Sequence, residues 1–468
     1  MGQEIDSHRF SPGDFERFRQ RLDEETRQLE EWFRDGRFVE EPPVGGLEVE
    51  AWLVGEDHRP AAVNDAFLER LSSPLVVPEL SRFNVEVNSS PVRLAGRALR
   101  AMEDELGRTY ARCEAVARDI GAHVVWVGIL PSLRDDDLTL ANMSRLKRYR
   151  ALNEQVLRLR GGRPIVLHIE GREALHIEHH DVMLESAATS LQIHLQVSPA
   201  SAHRYYNAAK LAAAPMVAAC ANSPFLFGRD LWAETRIPLF EQSVAVAGPA
   251  RVTFGDGYAE GDLAACFRRN VDKFDVLLPE ALEESAALLP HVRLHNGTIW
   301  RWNRPLIGFD EAGRPHLRIE HRVAAAPTSV LDAMANVALF FGLAHHLAGL
   351  EPPPESRLDF AVARNNFYAA AREGLDAEIA WPGRERAPVR RVLQDLLPAV
   401  ATGLAGFGIA GEDINRYLGV IADRLERGQN GSVWQRAYVA ARGRDMEALT
   451  GAYRERQRSG LPVHLWDA

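Results

Sequence analysis

The sequence predicts an α+β protein built on a β-sheet that has one polar and one apolar face, followed by a helical C-terminal part. Two observations predict this fold class. Four separate stretches alternate polar and apolar residues with the period of two that is typical of strands. Long segments between and after them repeat apolar residues at helical spacing. Beyond about residue 355 the pattern predicts helices and no strand of consequence.

The four polar-faced strands carry charged or amide side chains on one side and aliphatic side chains on the other. They are predicted at 46–54, 83–88, 190–197 and 317–323, and they carry, in that order, Glu48 with Glu50, Glu86, His194, and Glu320 with Arg322. Two unit charges about 4 Å apart repel by roughly 4 kcal/mol at an effective dielectric near 20. Neighbouring carboxylates therefore indicate a nearby cation or open water. One such strand is typical of a solvated edge, whereas four favour a shared polar sheet face.

The remaining elements follow from breakers and caps. A first helix over 12–33 begins at the Ser11-Pro12 N-cap, and residues 38–45 form a linker. Further helices are predicted at 92–120, 145–160, 199–221 and 329–347. Further strands are predicted at 123–130, at 298–301 and in a hairpin of 165–170 with 174–178. The three consecutive prolines from Pro352 indicate a hinge. We therefore expect an N-terminal helix (1–37), a catalytic domain (38–350) and a helical region (355–468) that could belong to the same domain.

Composition excludes several classes of protein. The chain has 468 residues, 46% hydrophobic and 26% charged, as in ordinary globular proteins. Its net charge of −10 argues against a general nucleic-acid binder. We find no N-terminal signal and no apolar run of membrane-spanning length, so we expect a cytoplasmic protein without membrane partners. Three scattered cysteines fit a reducing compartment and offer no disulfide framework or zinc motif.

The glutamates on the polar face are candidate metal ligands. Mg²⁺ prefers oxygen ligands and shares substrate phosphates, and glutamates with one histidine and no cysteine suit Mg²⁺ or Mn²⁺ better than zinc. The predicted metal ligands are Glu48, Glu50, Glu86, His194 and Glu320. The alternative for the glutamates is salt bridging with the many arginines, and the alternative for the histidine is a hydrogen-bonded polar patch.

Arginines could supply the opposite charge. Arg322, two residues after Glu320, is placed to stabilise a transferring phosphoryl group. Arg236 and Arg304 lie near tryptophans and could hold a carboxylate through paired hydrogen bonds. The alternative is a surface arginine stacked on an aromatic ring, which fits Arg301 better than Arg304.

Other catalytic signatures are weak. There is no P-loop, no dinucleotide fingerprint, no nucleophile elbow and no Cys–His pairing in the sequence. Four histidines invite a zinc interpretation but lack paired cysteines and the spacing of a known site. We interpret them as strand and loop histidines: His168, His176, His179 and His180.

Together these motifs resemble the carboxylate–amine ligases related to glutamate–cysteine ligase, in the glutamine-synthetase-like superfamily. The resemblance runs in order over about 46–345. It rests on Gly46-Leu47-Glu48-Val49-Glu50, on the acidic stretch from Glu79 through Glu86 to Pro91, on the strand around His194, on Asn222-Ser223-Pro224-Phe225 with Gly228 and Arg236, on Thr298-Ile299-Trp300 with Arg304-Pro305, and on Ile319-Glu320-His321-Arg322.

The resemblance implies a glutamine-synthetase-like catalytic fold, with a curved antiparallel or mixed sheet, a polar concave face and helices on the other face. It implies ATP and Mg²⁺ (or Mn²⁺) as cofactors and a ligase reaction through an acyl phosphate, of the kind used in glutathione biosynthesis. Small-molecule partners are implied: an amino acid, plausibly glutamate as carboxylate donor, and an amine. The implied roles are catalysis for Arg322 and Glu320, nucleotide binding for Glu79, His194 and Arg322, and substrate binding for Arg236 and Arg304. A homo-oligomer is compatible with the sequence.

Two departures from the family pattern concern the substrate more than the reaction. Gln192 stands where a small residue is expected, and Ile129-Leu130-Pro131 replaces a Thr-His-Pro type of loop. Two other functions stay open: phosphoryl transfer onto a guanidino-type nitrogen, and a non-catalytic nucleotide-binding protein on the same scaffold.

Overall fold

The structure is a computed structural model that describes residues 8–40, 43–280 and 282–468. The expectation about an N-terminal signal concerns residues 1–7, which lie outside the described residues. So do Glu41 and Pro42 of the predicted 38–45 linker. The helix predicted over 12–33 is present as Pro12–Arg34, with Asp14 accepting a hydrogen bond from the Ser11 amide at its N-terminus.

The strands of the described chain are β1 (Val44–Gly55), β2 (Val76–Pro78), β3 (Asn84–Asn88), β4 (Val92–Arg93), β5 (Ala122–Val125), β6 (Ile165–Glu170), β7 (Ala174–His179), β8 (Ser190–Val197), β9 (Phe225–Leu226), β10 (Arg229–Asp230), β11 (Asn303–Phe309), β12 (Pro315–Ala325), β13 (Glu378–Trp381) and β14 (Arg384–Pro388). The helices are α1 (Pro12–Arg34), α2 (Asn64–Leu71), α3 (Ala98–Arg118), α4 (Lys147–Leu159), α5 (Ala202–Cys220), α6 (Arg236–Ser243), α7 (Ala264–Lys273), α8 (Pro290–Gly297), α9 (Val330–Ala348), α10 (Phe360–Glu373), α11 (Val389–Gly406), α12 (Gly411–Arg427), α13 (Gly431–Arg442) and α14 (Met446–Arg458).

One curled antiparallel sheet, a half-barrel, organises the molecule. Its strand order is β11-β12-β8-β1-β3-β2, and β4 and β5 pair with the two ends of β1. The four strands predicted to carry a polar face are therefore consecutive neighbours: β12, β8, β1 and β3. This confirms the α+β prediction, and it brings the polar faces of distant segments together as one surface.

The apolar face of this sheet is covered by helices. Leu47, Val49, Ile193 and Leu195 are at most 2% exposed, and α5 and α9 lie against β12 and β8 on this side. Contact is close at Gly45, where a Cβ atom would stand 2.7 Å from the ring of Phe341 on α9. Because one side of the sheet is filled in this way, its polar side chains can point only into the opposite, concave face.

Helix α9 is long and apolar enough to cross a membrane by length and composition alone. No apolar run of this length was expected from the sequence. However, 78% of its most apolar window is buried inside the protein, where it packs against α5 and α11. Its composition is accounted for by its place in the core.

Three local predictions were wrong. Residues 298–301 follow helix α8 as a turn rather than a strand, and the strand next to β12 begins only at Asn303. The region beyond 355 is mostly helical but contains the β13–β14 hairpin. In addition, the helix predicted from residue 92 starts at Ala98, because Val92 and Arg93 pair with β1 as strand β4.

The C-terminal helices are joined to the sheet-bearing part through buried polar contacts. On α12, Arg424 donates to Asp332 at the start of α9 over 2.7 Å, and both side chains are at most 2% exposed. On α14, Gln457 donates to the carbonyl of Trp126 and accepts from its amide, each over 2.9 Å. These contacts tie the last helices directly to the strand–loop segment that follows β5.

The β6–β7 hairpin forms a separate two-stranded sheet. Its inner side chains, Ile165, Leu167 and Ile169, are buried, and β6 lies against α6. Gly171 at the turn approaches the backbone of Leu231 so closely that a Cβ atom would stand 2.5 Å away. The hairpin is thus fixed to the body along one face and exposed along the other.

Candidate active site

A cavity of about 270 Å³ lies on the concave polar face of the sheet. Strands β1, β3, β8 and β12 supply one wall, and α4, α6, the turn over Val182–Ala187 and the α7–α8 region supply the others. The charged residues that line it are Glu48, Glu50, Glu79, Glu86, Glu185, Arg148, Arg236, Arg293, Arg304, Arg318 and Arg322. Four of the predicted acidic residues and all three predicted arginines thus meet in one cavity.

Cross-strand pairing explains why these carboxylates converge. Glu50 stands opposite Glu86 in the β1–β3 register, and Glu48 stands opposite Asn88 on the same ladder. Glu79 follows β2, which pairs with β3 on its other side. Directly opposed residues on one sheet face have Cβ atoms about 4.5–5.5 Å apart, so the arrangement concentrates negative charge in a small, mostly buried space.

Burial and mutual repulsion shift the acidity of these groups. Burial, followed by the nearby Glu79 carboxylate, raises the pKa of Glu50 to about 7. Burial and then the Glu48 and Glu79 carboxylates raise the pKa of Glu86 well above its usual range. In each case ionisation is costly without a cation, so the cavity carries a marked preference for positive charge.

Glu50 is held in place from strand β8. It accepts hydrogen bonds from the Ser190 amide (2.7 Å) and from the Gln192 side-chain amide (2.9 Å). The carbonyl oxygen of Gln192 in turn accepts from Arg322 over 2.8 Å. Gln192, one of the departures from the family pattern, therefore bridges a predicted metal ligand and the predicted phosphoryl-binding arginine.

Glu320 is clamped between two arginines. Arg304 donates to both of its carboxylate oxygens, over 2.9 and 3.1 Å, and Arg322 donates to Oε1 over 2.7 Å. Despite the opposing effect of burial, the two guanidinium groups hold the pKa of Glu320 well below its usual range. Glu320 was predicted as a metal ligand and catalytic group, but both of its carboxylate oxygens accept hydrogen bonds that orient Arg304 and Arg322.

Arg236, predicted to hold the acidic substrate, makes internal contacts. It donates to Glu234 over 2.9 Å and to the backbone carbonyls of Arg322 and Val323. Its side chain is only 3% exposed. It lines the cavity, but these contacts fix the end of β12 where Arg322 sits.

His194 lies behind the carboxylates on β8, 7% exposed. Its Nε2 is 3.2 Å from Glu48 Oε1, and neither ring nitrogen makes a well-aligned hydrogen bond within the described part of the chain. A buried imidazole with unused nitrogens beside a carboxylate fits a group that completes its contacts on binding a cation.

The donor set suits a hard divalent cation, since the lining carboxylates offer oxygen ligands only. Within residues 8–40, 43–280 and 282–468, however, no three His, Cys, Asp or Glu side chains already converge on one point as a metal cage. The assignment of Glu48, Glu50, Glu86, His194 and Glu320 to metal therefore remains a prediction. A cation bound mainly by substrate phosphates and one or two carboxylates would need no such cage.

Sequence reasoning missed Glu185. It lies in the short 3-10 helix Val182–Ala187 and lines the cavity, and its Oε2 is buried without a hydrogen-bond partner among the described residues. Burial, then the charges of Glu79 and Glu50, raise its pKa to about 8. The turn shows no strand or helix periodicity, so the only available signal was an acidic residue just before a polar-faced strand.

The cavity also contains an apolar wall and further cations. Arg293 and Arg318 line it without a salt bridge among the described residues. Tyr149 donates toward Glu79 at 3.5 Å and accepts from Arg148 at 2.7 Å. The apolar wall consists of Leu152, Phe240, Phe267, Leu278, Leu294 and Leu306. A ligand with an apolar ring and several anionic groups would find matching surfaces here.

Comparison with known proteins adds a family and a fold. Residues 44–456 match the family model described as Glutamate-cysteine ligase family 2 (GCS2). The glutamate–cysteine ligase of Francisella tularensis, solved in complex with AMP, is similar in structure, with a TM-score of 0.56 at 9% identity over 90% of each chain. A bifunctional glutathione synthetase from Pasteurella multocida gives a TM-score of 0.54 at 12% identity, over 89% of this chain and 52% of that chain. None of the curated proteins matches this chain.

Proposed function

Since this chain belongs to glutamate–cysteine ligase family 2, we propose that it is an ATP- and Mg²⁺-dependent ligase that joins a carboxylate to an amine. The family membership confirms the resemblance seen in the sequence motifs. The family supports a carboxylate–amine ligase. The observation that carries the finer proposal is the meeting of Glu48, Glu50, Glu79 and Glu86 in one cavity, facing the arginines clamped by Glu320.

In the proposed reaction a carboxylate oxygen of the first substrate attacks the γ-phosphorus of ATP, and the bond to ADP breaks. The acyl phosphate formed is attacked at its carbonyl carbon by the amine, the C–O bond breaks, and phosphate leaves as the amine loses a proton. Mg²⁺, when bound with the nucleotide, would neutralise phosphate charge. All other contributions come from the protein as positioning and electrostatics.

The contacts of the chain suggest a role for each group. Glu50 and Glu86 would hold the cation, and its charge would lower the cost of ionising both carboxyl groups. Arg322, oriented by Glu320 and Gln192, faces charge on the transferring group. Glu185, which has an unpartnered oxygen and a pKa raised to about 8 by burial and then by nearby carboxylates, is suited to take the proton of the amine, because a base works best when its pKa is near the operating pH.

The acidic donor substrate, which we propose to be glutamate, needs cations that are not already paired. Arg236 was predicted for this role, but its donors serve Glu234 and the β12 backbone. Arg293 and Arg318 line the same cavity and have no salt bridge within the described chain, so we propose them as the carboxylate-binding pair. A cytoplasmic location, where ATP and free amino acids are available, accords with this function.

The direct test is release of ADP and phosphate from ATP, Mg²⁺ and glutamate across a panel of amino acids and small amines. We expect release that depends on one class of amine, and a condensed product in mass spectra. Phosphorylated substrate without condensation would favour the phosphotransferase alternative, and nucleotide binding without turnover across a broad panel would favour a non-catalytic protein.

A variant test addresses the role of Arg322. Arg322→Ala should slow the chemical step by about a hundredfold or more, the scale expected when a group that stabilises transition-state charge is lost. Arg372, which stacks on Trp232 away from the cavity, gives a matched control as Arg372→Ala. A loss below about tenfold for Arg322→Ala would reject the proposed contact with the transferring group.

A further inference from the structure

The exposed face of the β6–β7 hairpin carries a pair of histidines outside the cavity. His168 and His176 stand directly opposite each other in the strand register, and their Nδ1 atoms are 3.2 Å apart. Sequence spacing gave no reason to pair them, since only the hairpin register places them side by side. His168 is 55% exposed, so this pair faces solvent rather than the core.

The separation of the two nitrogens matches the bite of a metal chelate. Imidazole nitrogens bind zinc at about 2.0–2.1 Å. Two such bonds with their nitrogens 3.2 Å apart enclose an angle of roughly 100° at the metal, between octahedral and tetrahedral values. The two rings are inclined by 69° with centroids 5.5 Å apart, and a cation bound by both Nδ1 atoms would replace the hydrogen bond between them.

The second ring nitrogen of His168 already has the partner that metal-bound histidines commonly have. Its Nε2 lies 3.3 Å from the Glu170 carboxylate, two residues further along the same face of β6. A carboxylate that accepts the far N–H fixes the tautomer that leaves Nδ1 free to bind metal. This contact accounts for the orientation of the ring that the chelate requires.

The backbone holds the pair rigidly. The amide of His168 donates to the Gln242 side chain on α6 over 2.8 Å, and the inner residues of β6 are buried. Gly171 at the turn is fixed against Leu231. The two histidines are therefore preorganised, and a cation would not have to order a loose loop.

We propose that His168 and His176 form a surface site for a late first-row divalent cation, such as Zn²⁺, Ni²⁺ or Cu²⁺, with water in the remaining positions and Glu170 as the positioning residue. Imidazole favours this class of metal over Mg²⁺. The site is separate from the proposed nucleotide cavity, because neither histidine is among the described residues that line it.

Calorimetric titration of the full-length protein with Zn²⁺, in buffer already saturated with Mg²⁺ to occupy oxygen-ligand sites, tests the proposal. We expect one saturable equivalent for the natural protein, lost in both His168→Ala and His176→Ala. His180→Ala is the matched control, since His180 is an exposed neighbour of the hairpin and should leave the equivalent in place. Glu170→Gln should weaken binding by about tenfold.

Two further readouts separate chelation from a simple hydrogen bond between the rings. Cu²⁺ bound to the natural protein should give an electron paramagnetic resonance spectrum with splitting from two nitrogens, absent in His176→Ala. Thermal unfolding should be alike in all the variants, because the exposed pair contributes little to stability. A natural protein that binds no Zn²⁺, or variants that retain the same equivalent with the same affinity, would overturn the proposal.

Discussion

Replacing Glu320 by glutamine tests whether this carboxylate serves mainly to hold two arginines. It is 2% exposed, and it receives three charge-assisted hydrogen bonds, of 2.7, 2.9 and 3.1 Å, from Arg304 and Arg322. The glutamine side chain keeps one acceptor oxygen and turns an amide donor toward guanidinium groups that are themselves donors only. The two arginines, 8% and 9% exposed, would then remain buried without the carboxylate that pairs directly with them.

The expected loss follows from the burial. Breaking a buried ion pair by removing one partner costs about 3–5 kcal/mol, because the remaining charge is left uncompensated. Unfolding slopes in urea grow with chain size and reach about 3 kcal/mol per molar or more. We therefore expect the urea midpoint of Glu320→Gln to fall by about 1 M at neutral pH. Unfolding would be monitored by circular dichroism in the absence of nucleotide and metal.

The matched control is Glu86→Gln, a change of the same size in the same cavity. Burial and its acidic neighbours raise the pKa of Glu86 well above its usual range, so the neutral amide resembles the form that the carboxyl already prefers. This variant should lose Mg²⁺ binding and turnover but unfold within about 1 kcal/mol of the natural protein. An unchanged urea midpoint for Glu320→Gln, within about 0.2 M, would refute the clamp and return Glu320 to consideration as a metal ligand.

Three further changes address the bridge, the acidity and the hairpin. Gln192→Ala removes the link between Glu50 and Arg322 and should lower kcat by about tenfold with little change in KM. The control Gln196→Ala, on the same strand face, should change neither constant. Equal effects of the two substitutions would mean that Gln192 does not position Arg322. The folded-state pKa of Glu50, about 7, exceeds its unfolded value, so the folded state binds more protons between about pH 4.5 and 7. Without metal, the free energy of unfolding should therefore fall as pH rises through this window, and Mg²⁺ should restore more of it at pH 8 than at pH 5.5. A melting temperature that rises over the same range would contradict this prediction. Gly171→Ala should lower the free energy of unfolding by about 1–3 kcal/mol through the clash at the hairpin turn, as measured by thermal unfolding. An unchanged melting temperature would mean that the turn moves freely.

The sheet could be predicted from the sequence because the residue alternation that indicates a strand is a local pattern. Period-two alternation assigns each side chain to a face without knowledge of the partner strand, and so Glu48, Glu50, Glu86 and His194 were correctly grouped on the polar side of neighbouring strands. Which of these groups bind metal is still a prediction. The strand predicted at 298–301 failed because a short run of β-branched and aromatic residues resembles a strand, whereas these residues complete the turn after α8.

The arginine clamp and Glu185 lay beyond sequence reasoning for a physical reason. Arg304 meets Glu320 only through the β11–β12 register, and register depends on long-range pairing. Glu185 sits in a 3-10 helix of six residues, which is too short to show a recognisable repeat. The arginines were therefore recognised by residue type. Their mutual arrangement, and the hydrogen bonds that both of them donate to Glu320, became known only from the fold.

The hydrogen bonds between Gln457 and Trp126 have a consequence for biosynthesis. The two residues are 331 positions apart, and translation proceeds at about 5–20 residues per second, so the nascent loop after β5 waits on the order of half a minute for its partner to leave the ribosome. Until then its amide and carbonyl must be hydrated or shielded. We expect the segment after β5 to reach its native hydrogen bonding only after Gln457 has been synthesised.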